Sequence, residues 1–486
     1  MTDALPNEIH HKWGRTIAQY PKLYTQEALS AQAKTPVDDT KRAIERRIAL
    51  NAIQKICQLG NPGLDECTRG NITSFINLEK LKCILATARF ADELYNFALR
   101  TLVARCIVLV SSVKPLPFQY EYGYICFEIL VIALNACLLK HVSRSDWAIK
   151  VVNEASPNDS LSAFWDAYPA LLPAQLICNK ENIPSPRRLT PLQPWITTLS
   201  ENPMFDTLLA LLDADQKNFS IALIKGANPQ GLFGLLHALS QYLETELKST
   251  ELKHYGKRIL MPYTRFLYRC RIVAPNSGLE SHIGQAINNP RLEFVLLSTK
   301  SIDLEDSRNI VQAYSSFLDS DDPIKPMNFS NFMSFVVPFV VPGCEDLIGE
   351  MLDACVRVLW NFLSTGLDPV VLGATFQAVL VYFSDILERF NPSRADDRPW
   401  VLKLMDRLIY SGVMELILRF TLIVPTPGRT PQAHEDADKR LKDIARTFIL
   451  LLVTYTSDQY RKNLLCHPDC SIPRALNARC RIYALP

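Results

Sequence analysis

A basic stretch with interleaved aromatic residues is the part of this sequence best suited to bind a charged partner. Residues 248–271 carry seven Lys or Arg side chains and one acid, which gives a net charge of +6 over 24 residues. If Pro262 stands in the first turn of a helix, several of these cations fall near one face of it. The candidate partner-binding cations are Lys257, Arg258, Arg265 and Arg269.

The sequence allows several interpretations of this basic face. An acidic peptide or the phosphates of a nucleic acid would pair with the cations. Core packing explains the aromatic side chains equally well, and the acidic run 304–322 is able to face the cations within the fold. We favour a face that is solvated or paired internally, ahead of an acidic protein partner and then of nucleic acid.

A second group of residues has the chemistry of zinc ligands. Its thiols and imidazole belong to Cys466, His467, Cys470 and Cys480. Structural zinc sites normally use paired Cys-x2–4-Cys knuckles, and this stretch offers one imperfect pair. The spacing therefore favours ordinary cysteines, with a zinc site as the alternative.

Motifs for catalysis and cofactor binding are missing from the sequence. It contains no GxGxxG, GxxxxGK[ST], GxSxG or HExxH pattern. These patterns mark dinucleotide, phosphate, acyl-transfer and zinc-protease chemistry. We therefore predict no cofactor and no catalytic residue. An all-helical enzyme with a pocket between helices stays open, because residues far apart in sequence can meet in space.

Composition and cysteine usage indicate a globular protein of a reducing compartment. Of the 486 residues, 48% are hydrophobic and 21% charged, enough to build a core. Lys and Arg number 52 against 50 Asp and Glu, so no global basic field selects nucleic acid or membrane. The thirteen scattered cysteines cannot all pair with one another. We expect a cytoplasmic or nuclear protein without a signal peptide or membrane span.

Apolar periodicity is helical along most of the chain. Residues 38–59 are typical, with Thr40 as the expected cap and Ile44, Ile48, Ala52 and Ile56 as the expected buried stripe. No Asn-Gly or Asp-Gly pair occurs, which removes the strongest hairpin signal. The other predicted helices are 78–113 as one helix or two, 118–142, 159–179, 203–213, 216–225, 231–249, 262–273, 303–318, 345–364, 369–390, 399–424, 433–455 and 457–465.

Two features of the helical pattern point to a repeat architecture. Helix starts near 38, 77, 117 and 158 are about forty residues apart, the range of armadillo and HEAT units. Residues 354–364 (ACVRVLWNFLS) resemble the third helix of an armadillo repeat, with Phe362 departing from the usual leucine. The resemblance implies a helical solenoid that binds protein, with Trp360 and Asn361 as groove residues. Burial of Trp360 is the alternative.

Three proline-bearing stretches, 183–195, 320–328 and 425–431, are candidate loops or seams. We predict an N-terminal extension (1–36) and three helical regions, 37–182, 195–319 and 329–486. The predicted fold is an all-α, irregular armadillo/HEAT-like α-solenoid. The predicted function is a non-catalytic scaffold or adaptor for a protein partner, possibly acidic. The alternatives are a nucleic-acid-associated protein using 248–271 and an all-helical enzyme.

Overall fold

The fold is all-α throughout the part of the chain that is described, which confirms the predicted class. The computed structural model describes residues 9–25, 28, 38–59, 72–90, 93–141, 204–226, 231–249, 255–273, 303–320, 324–390, 399–413, 415–416 and 419–420. Extended pairing within these ranges is limited to two isolated bridges, His10 with Gly14 and Thr16 with Tyr120. The chain forms two compact units, Met1–Val295 and Leu296–Pro486. The finer predicted boundaries stay predictions.

Eight longer helices form the described part of the first unit. They are α1 (Asp39–Gln58), α2 (Leu78–Ala88), α3 (Arg100–Ser112), α4 (Glu121–His141), α5 (Met204–Ala214), α6 (Gln216–Lys225), α7 (Leu232–Ser249) and α8 (Met261–Val273). A short turn at Tyr20–Leu23 precedes them, and others at Ile72–Phe75 and Leu94–Phe97 lie between them, while a π-helical turn, Gly256–Leu260, leads into α8.

Helix α4 is the centre of the first unit. Helices α2, α3 and α7 all pack against it, while α1 packs on both α2 and α3. Helix α5 contacts α3 and α8, and α6 contacts α8. Nearly every described side chain of α4 is buried. A helix that is apolar on all sides needs neighbours on all sides, and α4 has them.

Five helices form the described part of the second unit. They are α9 (Leu304–Leu318), α10 (Pro326–Val336), α11 (Glu345–Ser364), α12 (Pro369–Phe390) and α13 (Pro399–Tyr410). Each packs against the helix two places along the chain: α9 on α11, α11 on α13, and α10 on α12. The first unit shows the same next-but-one contacts between α1 and α3 and between α2 and α4.

The helix predictions are accurate where capping and apolar signals agree. The predicted bounds of α6, α11 and α12 match at both ends. The stretch 78–113 divides into α2 and α3, and the predicted helix 399–424 is interrupted after Tyr410, where Gly412 has a φ of 72°. The predicted helices 159–179, 433–455 and 457–465 lie outside the described residues.

Helix α1 differs from its prediction in its cap and its buried face. Asp38, not Thr40, caps the helix, because its carboxylate accepts the Thr40 N–H at 2.9 Å. Ile44 and Ile48 are exposed, and the buried residues are Ala49, Ala52, Ile53 and Ile56. The reason is geometric, since a row of i, i+4 positions drifts about 40° around the helix at each step.

Two of the helices are long and apolar enough to cross a membrane by length and composition alone. In α4, 94% of the window Glu121–Leu138 is buried within the protein, which is how a core helix behaves. In α12 the corresponding window, Pro369–Ile386, is 39% buried. The absence of a membrane span and the cytoplasmic or nuclear location stay predictions.

Candidate functional site

The candidate cations of the basic segment meet acids from helix α5. Arg258 forms an ion pair with Asp206, and the Arg265 guanidinium lies 3.2 Å from the Asp213 carboxylate. Arg269 is not on an exposed face, since it is 2% exposed and donates to the Ser220 hydroxyl at 2.9 Å. Arg258 and Arg265 thus both meet α5, whereas Arg269 bonds Ser220 of α6, so the three cations do not form one exposed face.

Few of the cations in the described part of the basic segment lie on the protein surface. Lys257 and Arg258 are exposed, while Arg265 is half-buried and Arg271 is buried. The arrangement corresponds to the internally paired face that the sequence favoured, with partners on α5 at Asp206 and Asp213. A phosphate or an acidic peptide would have to compete with these carboxylates for the cations.

The two residues of the armadillo-like segment lie at the end of α11 and differ in exposure. Trp360 is half-buried, and its indole N–H donates to the Ser411 carbonyl oxygen at 2.9 Å. The Arg419 guanidinium lies 5.2 Å from the indole ring centroid, a cation–π contact. Asn361 is exposed. Trp360 therefore ties α11 to the end of α13, and Asn361 faces out beside that contact.

The zinc candidates lie outside the described residues: Cys466, His467, Cys470 and Cys480. Within the described ranges, no group of three or more His, Cys, Asp or Glu side chains is arranged to hold a metal ion.

Sequence reasoning missed the N-terminal strap, residues 9–25, which docks onto the start of α4. Its backbone pairs with the loop before α4: the Ile17 N–H donates to the Gln119 oxygen at 2.8 Å, and Tyr122 N–H to the Trp13 oxygen at 3.0 Å. The fully buried Tyr20 donates its hydroxyl to the Phe118 oxygen at 2.8 Å. These bonds make the strap part of the first unit.

Three carboxyl groups surround the strap tyrosines, and we call them the carboxyl cluster: Glu121, Glu128 and Asp215. Glu121 is 1% exposed and accepts the Tyr24 hydroxyl at 3.0 Å. Lys82 lies 3.3 Å from Glu121, and the start of α4 supplies a favourable helix dipole. Glu121 is therefore a buried carboxyl that meets both a cation and a tyrosine hydroxyl.

The other two members of the carboxyl cluster carry perturbed acidities. Burial raises the pKa of Glu128 to about 7, although the Tyr124 hydroxyl and the Arg89 charge oppose the shift. Burial likewise raises the pKa of Asp215 to about 7, against its hydrogen bonds from Phe118 and Asn218. Both groups therefore exchange protons near neutral pH. Perturbed groups of this kind gather at functional sites, and also in structural networks.

The geometry of the carboxyl cluster favours a structural network over a reaction centre. Asp215 accepts the Phe118 N–H at 2.7 Å, and Tyr20 holds the carbonyl of the same residue. Phe118, in the loop before α4, is thus held by hydrogen bonds at both its N–H and its carbonyl oxygen. The sequence did contain a signal for this cluster: Glu128 is the one charged residue within the apolar stretch 122–139.

Comparison with known proteins assigns the chain to no family. No protein-family model, no curated protein and no solved structure matches this chain. The armadillo resemblance of residues 354–364 therefore stays a prediction from those residues.

Proposed function

We propose that this protein is a non-catalytic scaffold or adaptor that binds another protein on a surface of stacked helices. The observation that carries the proposal is the next-but-one packing of the second unit, α9 on α11 on α13 and α10 on α12. Helical-repeat proteins stack in this way, because each unit buries its apolar face only against its neighbours. An armadillo-like α-solenoid is the form of stacking that we propose.

The outward face of α11 is the surface that we propose for binding. Its buried side is apolar and includes Ile348, Leu352, Cys355 and Leu359. Exposed polar residues recur on the other side at helical spacing: Asp346, Glu350, Arg357 and Asn361. A partner would therefore meet a polar ridge that runs the length of the helix.

Ion pairs connect this ridge to α9. Arg308 forms two bonds with the Asp346 carboxylate, at 2.6 and 2.8 Å. Arg357 lies 2.5 Å from Asp319 and also pairs with Asp353. Exposed pairs of this kind contribute at most about 1 kcal/mol each to stability. Their main effect is to order side chains that would otherwise lose rotamer freedom on binding.

Two exposed side chains beside the Trp360–Ser411 bond are the best candidates for direct contact. Asn361 follows Trp360 in α11, and Tyr410 precedes Ser411 at the end of α13. Tyr410 is 85% exposed, the highest value among the large apolar or aromatic side chains described as exposed. Exposed tyrosines contribute disproportionately to protein interfaces. We propose that Asn361 and Tyr410 belong to one contact region.

A matched pair of double variants tests this surface. Tagged Asn361→Ala/Tyr410→Ala protein is compared with wild type and with Asn51→Ala/Ile9→Ala, which truncates an exposed asparagine and an exposed apolar residue in the first unit. Each is used for affinity purification with nuclease, read by quantitative mass spectrometry. We expect a stoichiometric partner that wild type and the control retain, and that the first variant loses by at least about tenfold.

Other outcomes would replace the proposal. Equal recovery of the partner by both double variants would exclude this face. A partner that disappears with nuclease, and whose affinity falls steeply with salt, would favour nucleic acid. The absence of any stoichiometric partner would favour the all-helical enzyme.

A further inference from the structure

The N-terminal strap covers part of the first unit through a small number of specific contacts. Tyr20 and Tyr24 lie against Tyr124 of α4, with ring centroids 5.3 and 5.5 Å apart. Tyr20, Tyr124 and Ala222 of α6 form a small buried cluster, with Ile17 packed against it. The surface beneath the strap is therefore apolar and aromatic, and it would face water if the strap left.

The polar contacts of the strap converge on the carboxyl cluster. Tyr24 donates to Glu121, whose N–H in turn donates to the Arg15 oxygen at 2.8 Å. Tyr20 bonds the carbonyl of Phe118, and Asp215 accepts the N–H of that residue. The third carboxyl, Glu128, is reached through the Tyr124 hydroxyl. Each carboxyl thus lies within two hydrogen bonds or ring contacts of the strap.

We propose that the strap is a proton-linked latch, which is seated while Glu128 and Asp215 are protonated and is released as these two carboxyls ionise. Release hydrates both carboxyls, because Tyr20 lies within electrostatic range of Asp215 and Glu128, and Tyr24 within range of Glu128, so water takes the place of the strap beside them. Opening uncovers Tyr124 and Ala222 on α4 and α6. The latch is independent of the scaffold proposal, since it concerns the first unit alone.

Charged groups from several elements surround the carboxyl cluster. They are Arg15 from the strap, Lys82 from α2, and Arg89 just after α2, while Glu45 from α1 acts on Arg89. Two of these cations, Arg15 and Lys82, contact Glu121. The Arg89 charge opposes the rise in the pKa of Glu128, but burial has the larger effect. Asp215 is held by neutral donors, Phe118 and Asn218.

The sign of the linkage follows from proton uptake. Because burial raises the pKa of both carboxyls to about 7, the seated state binds more protons than the open state. Opening therefore becomes easier as the pH rises from the ordinary carboxyl range towards neutrality. A single group of this kind changes the opening equilibrium roughly tenfold between about pH 5.5 and about pH 7.5.

Hydrogen exchange of the full chain, read by mass spectrometry, tests the latch. Exchange of peptides covering 9–25 is measured at about pH 5.5 and about pH 7.5 and corrected for the intrinsic rate at each pH. We expect the strap to open roughly a hundredfold more at the higher pH, about tenfold for each of the two carboxyls, while amides in the middle of α4 stay protected. Equal opening at both pH values would overturn the proposal, as would strap and α4 amides that exchange together.

Conservative variants separate the titration from the packing. Glu128→Gln with Asp215→Asn keeps hydrogen-bonding side chains without the ionisation, and we expect the strap exchange to become nearly independent of pH. Full retention of the pH effect in this variant would overturn the proposal. Glu128→Gln alone, expected to lose part of the effect, is the measurement if the double variant does not fold. Asp39→Asn, which changes an exposed carboxyl in the first turn of α1, is the matched control and should behave as wild type.

Discussion

Gly234 lies where α7 comes closest to α4, and the contact leaves no room for a methyl group. A Cβ at this position would stand 1.8 Å from Asn135 Oδ1. Asn135 cannot swing away without breaking its donations to Val131 and Gly231, at 2.7 and 2.8 Å. We expect Gly234→Ala to lower the free energy of unfolding by about 1–3 kcal/mol, through overpacking. Chemical denaturation measures the change.

Gly256 supplies the control for that substitution. A Cβ there meets nothing within 4 Å, and the residue stands in a helical turn. Gly256→Ala should change stability by less than about 1 kcal/mol, in the favourable direction, because alanine is the better helix former. Equal losses in the two variants would contradict the account of Gly234.

Burial makes several thiols of the protein unreactive. Cys106, Cys126, Cys270 and Cys355 are buried, and burial raises the pKa of each above that of an ordinary thiol. Since the thiolate is the nucleophile, we expect these four to resist alkylation in the native protein. Half-buried Cys83 should react first among the described cysteines. Site-resolved mass spectrometry after brief iodoacetamide treatment checks the order, and fast labelling of the buried set would contradict it.

At the scale of elements, Trp360 joins two helices by one hydrogen bond. Trp360→Phe removes the donor to the Ser411 carbonyl while keeping an aromatic ring in place. We expect a loss of about 1 kcal/mol in the stability of the second unit, with faster exchange near the end of α13. Trp400→Phe is the control, because its edge contact with Phe390, at 5.8 Å, is one that a phenyl ring retains. Equal effects of both substitutions would argue against the bond.

Asp215 fixes the loop before α4 by accepting the Phe118 N–H. Asp215→Asn keeps an acceptor, whereas Asp215→Ala leaves that buried N–H without its partner. We expect Asp215→Ala to cost about 1–3 kcal/mol and Asp215→Asn to cost clearly less. Thermal denaturation at about pH 6 compares the two. Similar losses would show that the side-chain acceptor is unimportant.

The helices were largely predictable because the signals that mark them lie in the nearby sequence. Apolar spacing and flanking breakers located α6, α11 and α12 to the residue. For the basic segment the sequence favoured a solvated or internally paired face, but it did not reveal the partners, because the acids come from α5, elsewhere in the chain. The docking of the strap was not predicted for a related reason. The strap packs against the Phe118 loop, Glu121 and Asp215, and no residue spacing within 9–25 reveals these contacts.

At the scale of the whole molecule, next-but-one contacts occur in both units, although in the first unit consecutive helices, α1 with α2 and α3 with α4, pack more extensively. Helices contact the next-but-one helix in α1–α4 and again in α9–α13. A sequence with helical periodicity predicts that helices form, but the choice of neighbour depends on which faces match in three dimensions. The forty-residue spacing of helix starts predicts a repeat architecture, and that architecture stays a prediction.

The two units differ in how their stability depends on pH. In the first unit, Glu128 and Asp215 have pKa values raised to about 7, so the folded state holds protons that the unfolded chain releases near its ordinary carboxyl values. Their stabilising contribution is present at low pH and is lost as the pH rises towards and through 7. We expect protection of the strap amides, residues 9–25, to fall over about pH 5–8, and to fall less in Glu128→Gln/Asp215→Asn, while amides in the middle of α4 stay protected. In the second unit the pKa of the exposed Asp346 is lowered by Arg308, which leaves that group ionised throughout this range. Amides of α11, followed in the same exchange experiment, serve as the internal reference, and a parallel decline in the strap and α11 would refute the assignment to the carboxyl cluster.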